Sequence, residues 1–210
     1  MLVAGPRRLR LDVPPLTRVL GGGVLGRLAG LLALVVGLTV FAPSLLAPLG
    51  LRRPTGRELL RGGAAWLGTL PLYAGAVLLG AAASNALGVP SQSHELVRLI
   101  EREGLAALGL VFALAAVLAP LKEELLLRGI LLPALGNAWG PLGAWLASSL
   151  LFALIHLSLA ALLPMLVLGL LFGALRLTAP DDDPLTAAVT AHVLHNGTTL
   201  LLVALGMLAR

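Results

Sequence analysis

From Leu28 to Leu49 the chain carries no charged residue. Comparable runs recur at Ala64 to about Val89, Leu105 to Leu121, about Pro141 to Leu157, about Leu159 to Leu175 and about Leu185 to Leu208. A helix needs about 20 apolar residues to cross a hydrocarbon layer roughly 30 Å thick, and these runs have that length. None alternates apolar and polar residues with period two, so membrane strands are not expected. The pattern predicts an all-α, polytopic membrane helix bundle of about six transmembrane helices.

Composition agrees with that solvent. Of 210 residues 58% are hydrophobic and only 12% charged, with a mean hydropathy of +0.97. A soluble domain of this length would leave much of its Leu, Ala and Val in water. The 25 glycines suit helices whose backbones approach closely in lipid. The absence of cysteine excludes disulfides, zinc-thiolate sites, iron–sulfur clusters and a thiol nucleophile. Net charge is +5, yet the basic residues, all Arg except Lys122, lie largely in short segments beside apolar runs. That placement sets topology and meets anionic headgroups, so the lipid bilayer is the expected partner and nucleic acid is not.

Arg7, Arg8, Arg10, Arg18 and Arg27 precede the first run, which is longer than the apolar core of a secretory signal and reads as a retained helix. Arg52, Arg53, Arg57 and Arg61 are expected in a loop before the second run, and Ser91 to Gly104 in a polar connection after it. Residues 1–104 then form a basic segment with two membrane helices, and residues 105–210 a second helical unit. With the N-terminus inside, eight basic residues fall on the inner side and seven on the outer, which does not fix orientation.

Ionisable groups at membrane depth cost about 2.5–3.5 kcal/mol each on insertion scales, so each needs a reason. Three clusters stand out. Lys122, Glu123, Glu124 and Arg128 interrupt the third run; Phe152 and His156 lie four residues apart in the fourth; His192, His195 and Asn196 project from one face of the sixth. Glu124 and Arg128 have the favourable order for an intrahelical ion pair. Glu123 is rotated about 100° away and is the candidate reactive carboxylate. Pro120 is expected to start or kink a helix, placing both glutamates near a positive helix end. A carboxylate to polarise water, a histidine to share it and a His/Asn pair to meet an oxyanion are the parts of amide hydrolysis without a covalent intermediate.

Glu-Glu-x-x-x-Arg, then Phe-x-x-x-His, then His-x-x-x-Asn, each in or near an apolar helix, resembles the CPBP family of CAAX proteases and bacteriocin-processing enzymes. This is also called the Abi or type II CAAX prenyl endopeptidase family, and it includes lysostaphin-resistance-protein-A-like members. Ala119, Pro120 and Gly129 resemble the motif surroundings; Leu127 departs from an aromatic residue common there. The resemblance spans roughly Leu105 to Leu202 and implies an intramembrane endopeptidase acting on a membrane-associated peptide or protein, with CAAX-type peptides one option. It implies that Glu123 activates water with His156, that His192 and Asn196 form the oxyanion site, and that Glu124, Arg128 and Phe152 support them. No cofactor is expected; zinc on Glu123, His156 and His192 is the alternative. The compact size and preference for Arg over Lys point to a bacterial cell membrane.

Two other protease types fit less well. No serine sits in the Gly-x-Ser-Gly setting of a rhomboid-type enzyme, and the His-Glu-x-x-His motif of a site-2-type zinc protease is absent. A non-catalytic transporter, or an immunity or scaffold protein with a buried polar cluster, is the alternative of a different class.

Overall fold

The computed structural model describes residues 54–89, 108–180 and 185–208, together with isolated helical positions at 26, 29, 30 and 33. The described residues are helical and contain no strand. The first apolar run, the polar connection at 91–104 and the acidic break at 181–183 lie outside them, apart from those isolated positions.

Helix α1 spans Gly56–Ala86, starting well before the apolar run itself. Its N-cap is Thr55, whose hydroxyl accepts the Glu58 N–H at 3.3 Å. Arg57 and Arg61, expected in a loop, belong to this helix. Arg61 pairs with Glu58 at 2.8 Å and also donates to the Leu175 carbonyl at 2.9 Å. It therefore serves a later helix end, where backbone carbonyls lack intrahelical partners.

The third and fourth runs form one continuous helical path. It comprises α2 (Leu108–Val111), a π-helical segment (Phe112–Leu118), α3 (Ala119–Glu124), a second π-helical segment (Leu125–Leu131) and α4 (Leu132–Leu154). Pro120 therefore starts no new helix. Leu118 before it keeps helical angles, φ −69° and ψ −38°, so the glutamates have no positive helix end beneath them. A proline ring inside a helix collides with the carbonyl four residues back, and a widened turn relieves the collision. Each π segment is followed within two residues by a proline, Pro120 or Pro133. The Ala119 N–H bonds the Leu114 carbonyl and the Leu132 N–H that of Leu127, both five residues back. Helix α4 bends at Gly140, where φ of 71° requires glycine, directly before Pro141.

Helix α5 spans Leu159–Leu177, capped by the Ser158 hydroxyl, and α6 spans Thr186–Leu208. Helix α1 packs on α5 and α6, α5 on α4 and α6, and α6 on α3 and the first π segment. Among the described residues three helices are long and apolar enough to cross a membrane: Gly56–Ala86, Leu159–Leu177 and the Thr186–Gly206 stretch of α6. Outward-facing side chains are leucines such as Leu60, Leu72 and Leu78, exposed by 77%, 65% and 72%, which only a lipid solvent accommodates. The chain is an integral membrane protein.

Glycine makes these contacts close. A Cβ at Gly62 would fall on the Ala187 carbonyl oxygen, one at Gly80 on that of Ala160, and one at Gly169 would come 2.8 Å from that of Ser149. Gly80→Ala is expected to destabilise the bundle by about 1–3 kcal/mol. Gly75→Ala, where a Cβ meets nothing within 4 Å, is not. Thermal unfolding of the purified variants in detergent checks the difference; equal midpoints would contradict it.

Candidate active site

The acidic pair sits at the end of α3, where the two glutamates diverge. Glu124 is fully buried and Glu123 is partly open, with a side chain 25% accessible. Arg128, also fully buried, donates from Nη1 to Glu124 Oε1 at 3.3 Å and from Nη2 to the Gly169 carbonyl at 3.0 Å. Its guanidinium also lies over the rings of Phe152 and Phe172, at 4.9 and 5.5 Å from their centres. The ion pair is single-pronged and long. Glu124 Oε2 and Arg128 Nε are buried with no hydrogen-bond partner among the described residues.

The same Glu124 Oε1 receives His192 Nδ1 at 2.9 Å. A carboxylate beside an arginine is an acceptor, so Nδ1 carries the proton. This orients Nε2 toward Glu123, whose Oε2 is 3.9 Å away. That separation is too long for a direct hydrogen bond and short enough for one water to touch both groups. Phe172 stacks on the His192 ring at 4.6 Å and Phe152 meets it edge-on at 5.6 Å, which fixes the ring plane.

His156 lies not within the fourth helix but in the turn just beyond it, between the C-cap Ile155 and Leu157, a non-glycine residue at φ of 50°. Its Nδ1 bonds the Phe152 carbonyl at 2.7 Å. A carbonyl can only accept, so Nδ1–H is the donor and the neutral ring keeps an unprotonated Nε2. Phe152 touches His156 edge-on at 4.9 Å. Asn196 Nδ2 donates to the Ala115 carbonyl at 2.8 Å.

Glu123, His156, His192 and Asn196 line one cavity of about 240 Å³, bordered also by Phe152, Ala115, Ala119, Met165 and Leu168. Residues 105–198 match the family model described as type II CAAX prenyl endopeptidase Rce1-like. Over these residues, a little under half of the chain, the sequence is similar to that family. No curated protein and no solved structure matches the chain.

The matched stretch contains Glu123, His156, His192 and Asn196, the residues gathered at the cavity. Glu124 and Arg128 lie behind them. The fully buried pair and the Phe152 ring form the wall on which His192 rests. His195 also lines the cavity, with its ring edge-on to Tyr73 at 4.5 Å. Tyr73 comes from α1, outside the matched residues, and sequence reasoning missed it; its one signal was being the sole tyrosine. Phe172 and the Gly169 carbonyl, which hold His192 and Arg128, carried no signal in an aliphatic helix.

The residues do not fit a metal ion as placed. Among the described residues no three His, Asp or Glu side chains are grouped to hold one. Glu123, His156 and His192 line the cavity without forming such a group, and no step below passes through zinc.

Removing one partner of a buried pair leaves the other charge uncompensated, typically at a cost of about 3–5 kcal/mol. Arg128→Met is therefore expected to destabilise the protein strongly. Glu124→Gln added to it should recover part of the loss, because an amide oxygen still accepts from His192 without a stranded charge. Unfolding midpoints of the single and double variants check this, and a double variant less stable than Arg128→Met would contradict it.

Proposed function

We propose that the chain is a multi-pass intramembrane endopeptidase that hydrolyses a peptide bond of a membrane-associated peptide or protein through water activated by Glu123. The observation that carries this reading is the convergence of Glu123, His156 and His192 on one cavity inside an otherwise apolar bundle. Groups this costly to bury in lipid gain most where they meet a common reacting atom.

In this mechanism Glu123 takes a proton from water while the unprotonated Nε2 of His156 accepts the water's other hydrogen. The oxygen attacks the scissile carbonyl, and charge develops on the carbonyl oxygen. With its ring protonated on both nitrogens, His192 offers Nε2–H to that oxygen, and Glu124 on the opposite nitrogen stabilises the imidazolium. Glu123 then gives its proton to the departing amine nitrogen as the C–N bond breaks, and the new acid's remaining O–H proton passes through His156 Nε2 to solvent, leaving a carboxylate and an amine. Glu124 and Arg128 act through His192 and do not touch the substrate.

The family's name makes a C-terminal CAAX-type peptide one substrate class to test. In a bacterial membrane an unprenylated peptide or membrane protein is the class we favour. The protein in liposomes is to be offered membrane-anchored peptides of both kinds and the products read by mass spectrometry. Glu123→Gln and His156→Ala, correctly inserted and folded, are expected to lose about 100-fold to 10,000-fold in rate. Full activity in both variants would overturn the mechanism and leave a non-catalytic role for the cluster. Chelator is expected to leave the rate unchanged, whereas inhibition reversed by added zinc would contradict the metal-free steps.

A further inference from the structure

The two π-helical segments share one consequence. Where the ladder runs five residues back, the carbonyl following Leu114 in sequence, that of Ala115, would next receive the N–H of residue 120. Residue 120 is proline and has none. In the second segment the carbonyl following Leu127, that of Arg128, would receive the N–H of residue 133, again proline. Both vacancies are met from another helix. Asn196 Nδ2 of α6 donates to Ala115 at 2.8 Å, and Arg176 Nε of α5 donates to Arg128 at 3.2 Å.

The vacancy at Ala115 bears on the reaction. Ala115, Ala119 and Glu123 follow one another at four-residue steps and all line the cavity. Helix α6 approaches this stripe closely at Gly197, next to Asn196, where a Cβ would come within 3.4 Å of the Phe112 ring. Within lipid no bulk water satisfies a carbonyl that its own helix has abandoned, and leaving it bare favours another register of the turn.

Resting on the hydrolytic reading above, we propose that Asn196 is a positioning residue: its amide replaces the N–H that Pro120 lacks, holds the Ala115 carbonyl, and so fixes the turn that carries Glu123. Asn196 then contributes to the reaction through the placement of the carboxylate, separately from contact with the oxyanion.

The test is a four-variant cycle of wild type, Asn196→Leu, Pro120→Ala and the double variant, each followed by unfolding midpoint, kcat and KM in liposomes or detergent. Asn196→Leu has similar size and no donor. In the Pro120 background it is expected to lower the midpoint and to reduce kcat by about tenfold or more, as misplacement of a reacting group does, with KM little moved. Alanine at 120 restores a backbone N–H. In that background most of both losses are expected to disappear.

An unchanged fold-loss of kcat in both backgrounds would overturn the proposal and place Asn196 on the reacting atoms. Equal losses of midpoint in both would overturn it by showing that the Ala115 carbonyl is not what Asn196 serves. If wild type cleaves nothing offered to it, the hydrolytic reading fails by itself, and the midpoints still decide whether Asn196 and Pro120 are coupled. Should Pro120→Ala fail to insert, Asn196→His, which keeps an N–H at a similar depth, is expected to retain more of the midpoint than Asn196→Leu; equal loss would overturn the proposal.

Discussion

The site depends on a carboxylate that never meets the cavity. Glu124 is buried between Arg128 and His192 and uses one oxygen for both. Without the arginine, a carboxylate at this depth would be uncompensated; without the carboxylate, His192 would have no reason to carry its proton on Nδ1. The imperfect geometry of the ion pair, long and single-pronged, indicates that it is held for orientation more than for stability. Replacement of such pairs by apolar residues is often neutral, so the pair is better understood as fixing which nitrogen of His192 faces Glu123.

Around this pair the fold supplies rigid walls. Phe152 and Phe172 enclose the guanidinium and the imidazole together, and the Gly169 carbonyl takes the second arm of Arg128. That carbonyl is reachable because Gly169 lets α5 lie against Ser149 of α4. Close packing of small residues, ordinarily a means of associating helices in lipid, here also delivers a backbone acceptor to a buried charge. Helix α1 closes the far side with Tyr73 against His195. The cavity therefore draws on a helix that the family match does not reach.

Much of the site was legible in the sequence because ionisable residues are conspicuous in apolar runs. Glu123, His156, His192 and Asn196 could be singled out on cost alone, and the spacing of Glu124 and Arg128 foretold their pairing. Three features were not legible. Pro120 reads as a helix boundary, since a sequence carries no sign that a π turn will absorb the ring, so the positive helix end expected under the glutamates is absent. His156 shares a four-residue spacing with Phe152 whether it sits in the helix or caps it, and the structure has it capping. Tyr73 is an aromatic residue in an aliphatic helix, where only tertiary packing decides which ring faces a cavity. The six helices expected are not resolved into a count, because the first run lies largely outside the described residues.

In the proposed mechanism Glu123 acts on water and does not itself attack the substrate. Single-turnover cleavage, in heavy-oxygen water, of a peptide that the purified protein cuts tests this most directly. The heavy oxygen is expected to enter the new C-terminal carboxylate of the product, with none acquired by the Glu123 carboxylate. Heavy oxygen recovered in Glu123 would contradict this mechanism, since that outcome requires an acyl-enzyme formed on the glutamate.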